Sequence, residues 1–441
     1  MKRLLSLLLC AVLALFCATT AQAAGVSITL TASEYALHYA FDAGAQDPFV
    51  ILEYTTPAEK GWMMLYSEDG HFEGDVSLAY SGAGGKTSVA LTSARTTGSI
   101  GKASTTLPKA ADYQKPTGKS NAKVTDFVLT ETPEGFHYAF NAAGTDYMLL
   151  YWRSKEQTVT QPVYPDENGH YEGDVISNLT FARTQFTVQV KSGSGSMKKE
   201  ATVRKGYQAP EAPQRQEGRL SGVTVCIDAG HQENGRFVNE PIGPGLSGST
   251  SGKGGMAQGT KTNRRESIVC LEIGMLLRDE LLRQGANVIM TREDQTTFHT
   301  NIERCEIAEA GGAQIMLRLH CNNSSNRSKR GIQVYGPLNS DYAKAVADAD
   351  TYREMGQKLL DAMKMRVGMT LANSTGMVRL NDNYVGNNWA KMMCFLVEMG
   401  YLSNPAEEYL LVTPVYQQWL AEGMADGVYE IAVARGWVQA Q

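Results

Sequence analysis

Two motifs in the first half of the chain recur at one fixed offset. His38-Tyr-Ala-Phe-Asp-Ala returns as His137-Tyr-Ala-Phe-Asn-Ala, and Asp69-Gly-His-Phe-Glu-Gly-Asp75 returns as Asn168-Gly-His-Tyr-Glu-Gly-Asp174, each 99 residues on. A constant offset across two separate motifs implies a duplicated domain. Within each copy, short runs rich in Val, Thr, Tyr and Phe alternate with Gly, Asn and Asp, and no long segment has helical period. That is the pattern of strands joined by turns. Two β-sandwich repeats of immunoglobulin-like type fit the size and turn spacing, over 24–106 and 122–207. Stretches without apolar periodicity at 107–121 and 208–218 read as linkers. His71 and His170 read as hairpin-turn residues, although Glu73/Asp75 and Glu172/Asp174 beside them also suit a cation or sugar site. His38 and His137 alternate with aromatic residues, which places them on one face of a strand and assigns them no chemistry.

The second half reads differently. Residues 223–231 form a short β-branched apolar run, Val-Thr-Val-Cys-Ile-Asp-Ala-Gly-His, that ends in a histidine. Residues 314–320 repeat the pattern and end in His320. Such runs are buried strands of an α/β sheet, and in open α/β sheets ligands sit beyond the carboxyl ends of the strands. A polar loop at 232–263 is long enough to suggest a function of its own. Helices are predicted over 266–284, 301–310, 341–366 and 414–435, and further strands over 286–291, 331–335 and 393–397. Alternating strands and helices over 219–441 imply a mainly parallel twisted sheet covered on both faces.

A chain of 441 residues, 43% hydrophobic and 20% charged, is globular and long enough for roughly three domains. Its net charge of −5 excludes the strongly basic surface expected of a nucleic-acid binder. Residues 1–23 read as a secretory signal: Lys2-Arg3, an apolar core over 4–17, and Ala21-Gln22-Ala23 as the cleavage site. The mature chain is thus expected outside the cytoplasm, in the cell envelope or beyond, with no membrane span. Of seven cysteines, Cys10 and Cys17 leave with the signal. The remaining Cys226, Cys270, Cys305, Cys321 and Cys394 are too irregularly spaced for a disulfide framework. Cys321, next to His320, is the one candidate nucleophile or ligand among them.

A hydrolytic zinc centre needs three protein ligands from His, Glu or Asp and an open position. His231 and His320 sit at strand tips, and Glu266 opens a helix just after the long loop. Glu398 ends the apolar run 393–397 at the same expected sheet edge, where a carboxylate can take a proton from water and return it to a leaving amine. Each also has a structural reading: a strand-tip histidine can bond a loop, Glu266 can serve the helix dipole, and Glu398 can pair with an arginine such as Arg318.

Four blocks in order, Ile227-Asp-Ala-Gly-His231, Glu266 with Leu271 and Leu276, Leu319-His320-Cys-Asn322, and Leu396-Val-Glu398-Met-Gly-Tyr-Leu-Ser-Asn-Pro405, resemble the zinc-dependent N-acetylmuramoyl-L-alanine amidases of the third amidase family. The resemblance covers 223–411. It departs at Ala229, where proline is common, at Gln232, where glycine is, at Cys321, where a small residue is, and in the long loop. The resemblance implies one Zn2+ held by His231, Glu266 and His320, with Glu398 as general base. It implies cleavage of the amide between N-acetylmuramic acid and L-alanine of peptidoglycan. A zinc peptidase acting on wall peptides, and a wall-binding or adhesive protein with an inactive or activator-dependent amidase domain, are the alternatives. The repeats are expected to bind a cell-wall polymer or protein. Arg318 and Arg379 are candidate partners for peptide carboxylates.

Overall fold

The computed structural model describes residues 19–21, 25–34, 36–45, 47–57, 60–78, 82–94, 98–111, 122–132, 135–145, 148–153, 158–176, 184–192, 195–205, 210–233, 238–250, 255–262, 264–367 and 378–440. The leader's apolar core, residues 112–121 of the first linker, and parts of the 232–263 loop lie outside them. The chain divides into two compact units, one of Met1–Thr130, His137–Asp174 and Phe186–Val203 and one of Arg204–Gln441 together with Glu131–Phe136 and Val175–Gln185.

The first unit is all strand. Its strands up to Leu107 form two antiparallel sheets: Ile28–Ala32, Ala36–Asp42 and His71–Ser77, with Thr19–Ala21 at the edge, and Lys60–Tyr66, Phe49–Thr55, Gly85–Ser93 and Ser99–Leu107. Alternation along these strands sends Leu30, Tyr39, Phe41, Phe72 and Val76 of one sheet and Val50, Leu52, Val89 and Leu91 of the other into one shared core. The strands from Lys123 to Lys205 again form two sheets, with Lys123–Thr132, Gly135–Ala143 and His170–Ile176 in one of them. Equivalent residues pack alike: Phe41 stacks on Phe72 at 4.9 Å and Phe140 on Tyr171 at 4.6 Å between ring centroids. His71 and His170 are not turn residues, as their glycine-rich surroundings predict, but the first residues of strands.

The second unit is an α/β domain. Its strands are β1 (Thr224–Ala229), β2 (Asn287–Met290), β3 (Ile315–Asn322), β4 (Gln333–Gly336), β5 (Val378–Leu380) and β6 (Met393–Tyr401), in the order β2-β1-β3-β6-β4-β5. All neighbours are parallel except β4 and β6. The central strands are buried on both faces, which is why they read as unbroken apolar runs. On one face Cys226, Met316 and Cys394 pack with Cys305 and Ala308 of α2 (Asn301–Ala310). On the other, Gly274 of α1 (Glu266–Arg283) lies against Ile227, Leu319 and Ala229. Tyr352 of α4 (Ala349–Val367) meets Phe395 edge-on on that side.

Several local expectations are corrected. The helix predicted over 341–366 is two helices, α3 (Asp341–Val346) and α4, because Ala347 is extended. The chain adds short helices α5 (Val385–Trp389) and α6 (Pro405–Leu411) before α7 (Pro414–Ala434). Residues 215 and 216, read as linker, are fastened to the end of α1: Arg215 Nη1 donates to the Gly285 carbonyl at 2.9 Å and Gln216 N to that of Leu282 at 3.0 Å.

Candidate metal centre and active site

In β3 and β6 the five residues before the site are buried, and the sixth is the first partly exposed one: His320 and Glu398. These two are register partners on adjacent parallel strands, so their side chains leave the sheet on the same face. His231 arrives from the neighbouring strand, just past the end of β1. Its φ of 58° lies in the left-handed region, which is uncommon for a residue with a Cβ. The surroundings impose it. Arg292 donates to the carbonyls of Ala229 at 2.8 Å and Gly230 at 2.9 Å, and Arg304 to those of Ala229 at 2.9 Å and His231 at 3.2 Å. Gly230 must be glycine here, because a Cβ would lie 2.4 Å from the Leu319 carbonyl oxygen and 2.6 Å from His320 Cε1.

Arg304 is in turn held by Asp228. Its fully buried carboxylate accepts from Arg304 Nη1 at 2.5 Å, Arg318 Nε at 2.9 Å and Thr291 Oγ1 at 2.7 Å. Burial opposes its charge, but the two guanidinium groups hold it far below the usual carboxylate range. Arg318 is therefore the partner of Asp228 and of Asn301, and neither pairs with Glu398 nor is free to take a peptide carboxylate.

Glu266, the first residue of α1, brings the third element to this edge. Its Oε1 lies 3.1 Å from His231 Nε2 and 2.9 Å from His320 Nδ1, and the backbone N–H of Ala257 holds Oε2 at 2.8 Å. One ligand atom from each of His231, Glu266 and His320 lies within 4.8 Å of the others. Burial disfavours the Glu266 charge, but hydrogen bonds from the two histidines keep it ionised well below its usual range. Burial pushes His320 down, toward the neutral imidazole that binds metals. Glu398 is the opposite case: burial, and behind it the charge of Glu266, push its carboxyl well above the usual range. His320 Nε2 and Glu398 Oε2 are both buried without a hydrogen-bond partner.

Residues 225–430 match the sequence family described as N-acetylmuramoyl-L-alanine amidase. They are a domain of that family. The match includes all four residues of the site. Among curated relatives, the germination-specific N-acetylmuramoyl-L-alanine amidase of Bacillus subtilis (strain 168) is 26% identical over 231 residues, 49% of this chain and 83% of its own length. The probable cell wall amidase LytH of Staphylococcus aureus is 27% identical over 218 residues, 48% of this chain and 60% of its own. The amidase Ami1 from Mycobacterium smegmatis superposes with a TM-score of 0.44 at 17% identity, over 49% of this chain and 99% of its own.

The amidase domain thus brings together the residues its sequence singles out, and leaves Cys321 aside. That thiol is buried, which pushes it well above its usual range. All five cysteines of the described chain are free and buried. The sequence reading missed the hydrogen-bonded row beside Glu398. Gln333 is its register partner on β4. It receives Asn322 Nδ2 at 3.1 Å and the Tyr335 hydroxyl at 2.6 Å on Oε1, and gives Nε2 to the Tyr401 hydroxyl at 2.9 Å. The antiparallel β4–β6 pairing that creates this row has no local signal in the sequence.

Proposed function

We propose that this chain is a secreted, zinc-dependent N-acetylmuramoyl-L-alanine amidase that cuts the amide between the lactyl group of muramic acid and L-alanine of the stem peptide. The convergence of His231, Glu266 and His320 beside Glu398, within a domain of this family, carries the reading. Two imidazoles and a carboxylate are a donor set that zinc accepts in hydrolases. The orphaned His320 Nε2 and Glu398 Oε2 fit a centre completed by an ion and water. His231, Glu266 and His320 would hold the zinc, which when bound supplies a Lewis acid that acidifies water and polarises the amide carbonyl.

The chain's own residues supply the rest. Glu398, raised in basicity by its surroundings, takes a proton from the attacking water as the water oxygen bonds to the carbonyl carbon. The same carboxyl then gives that proton to the L-alanine nitrogen as the C–N bond breaks. Arg292, Arg304 and Asp228 fix the turn that presents His231, and Ala257 and Cys321 hold Glu266 through their backbone N–H groups. The duplicated β-repeats, which we assign to the immunoglobulin-like type, position the enzyme on a wall or protein surface.

Mass spectrometry of the products released from purified peptidoglycan tests the activity. Stem peptides with a free L-alanine amine are expected. Cleavage within the peptide instead would make the protein a zinc peptidase.

A further inference from the structure

Three adjacent strands, β6, β4 and β5, set a row of side chains on the sheet face that carries Glu398. Across the antiparallel β6–β4 ladder Glu398 pairs with Gln333 and Leu396 with Tyr335, and across the parallel β4–β5 ladder Tyr335 pairs with Arg379. Paired residues, and residues two apart on one strand, project from the same face. The residues between them agree with this. A Cβ on Gly356 of α4 would meet Val378, Val334 and Phe395, and one on Gly336 would meet Leu380, Tyr352 and Phe395, so α4 covers the opposite face. Neighbouring strands lie about 4.8 Å apart, which puts Arg379, two strands over, about 10 Å across the sheet from Glu398.

The ground between the two is a built surface. Gln333 is locked by Tyr335, Asn322 and Tyr401 through the hydrogen bonds given above, and Tyr384, just before α5, meets the Tyr335 ring edge-on with centroids 5.1 Å apart. Burial raises the Tyr335 hydroxyl, the charge of Glu398 adds to that, and the charge of Arg379 opposes it, so this one hydroxyl lies within electrostatic reach of both. Arg379 itself is exposed, and the described residues offer it no hydrogen bond or ion pair. The acid that follows it in the chain, Asp382, is committed elsewhere: its carboxylate accepts from Leu338 N at 3.2 Å and from Asn339 N and Nδ2, both at 2.7 Å. The arginines near the metal ligands are committed too, Arg292 to backbone carbonyls and Arg304 and Arg318 to Asp228.

We propose that the stem peptide runs from Glu398 across Gln333 and Tyr335, and that Arg379 binds a carboxylate of its second or third residue. An extended peptide covers about 3.3–3.6 Å per residue, so a span of about 10 Å across two strands brings one of those residues to the guanidinium. The forked N–H donors of arginine match a carboxylate. Because the row from Tyr384 to Tyr401 is already hydrogen-bonded, the peptide meets a surface that needs no ordering on binding. The inference rests on the amidase reading and names the part of the substrate that the site selects.

Kinetics of the full, zinc-loaded chain on muramoyl tripeptides test it, with the carboxyl of the second or of the third residue either free or amidated. The parent should prefer the acid over the amide at one of the two positions by about 10- to 100-fold in kcat/KM, the order of a hydrogen bond to a charged group. The difference should lie in KM more than in kcat, as for binding that is equal in ground and transition states. Arg379→Gln should lose the preference and match the parent on the amide, and Arg379→Glu should prefer the amide, with zinc content and thermal midpoint unchanged in both. A preference that survives Arg379→Gln, or a parent that cuts acid and amide equally, would overturn the inference and leave the amidase reading standing. No free L-alanine amine from any of these substrates with the parent would overturn both.

Discussion

Asp228 never faces substrate, yet the site hangs on it. Its carboxylate is the only anion on Arg304 and Arg318 among the ion pairs of the described residues. Arg304, with Arg292, fixes the turn that carries His231. Asp228→Ala would leave two guanidinium groups buried without a counter-charge, and a loss of about 3–5 kcal/mol is expected in urea unfolding. Gly230→Ala is expected to cost about 1–3 kcal/mol, as overpacking does, and to weaken metal binding by displacing His231 or His320. A variant that binds zinc as tightly as the parent would show that the close approach at Gly230 is not essential. At this scale the sequence was legible where a residue ends an apolar run. His231, His320 and Glu398 interrupt buried strands, and only function or a special partner explains a polar residue there. Asp228 and its arginines were not legible, since their partners are 76 and 90 residues away in the chain.

At the scale of elements, the central strands and long helices follow from their periodicity. The short ones do not, because α5 and α6 are held by tertiary contacts more than by pattern. Helix α6 illustrates this. Asn404 caps it by accepting from Ala406 N at 3.0 Å and Glu407 N at 3.1 Å. The buried Glu407 accepts from Gly331 N at 2.7 Å and Tyr401 N at 2.8 Å, tying β6 to the start of β4. Burial raises its carboxyl to about 7, against the pull of those N–H groups. A carboxyl raised in the folded state binds its proton more tightly there than in the unfolded chain. Its stabilisation is full below about pH 4.5 and is lost as pH rises through about 7, a change of about 3 kcal/mol. Wild-type stability should therefore fall relative to Glu407→Gln between those values, in unfolding curves measured across the range. Parallel curves would show that Glu407 is not raised. The histidines of the repeats fall in the same class of illegible features: glycine-rich neighbours suggest turns for His71 and His170, and only the strand register brings them to His38 and His137.

On the scale of the whole molecule, the chain divides into two compact units, one all strand and one that contains the amidase domain. Among the described residues no helix is long and apolar enough to cross a membrane. If the repeats position the enzyme, a chain lacking residues 24–207 should sediment less with purified cell walls than the full chain, while its zinc centre stays intact. Undiminished sedimentation would remove that role. The central claim is narrower: an ion held by His231, Glu266 and His320, and a proton carried by Glu398. The most direct measurement is stem-peptide release from peptidoglycan by Glu398→Gln, with bound zinc determined on the same sample. Release should fall by about 10²–10⁴-fold with zinc content and thermal midpoint unchanged. Release at the parent's rate would contradict the account.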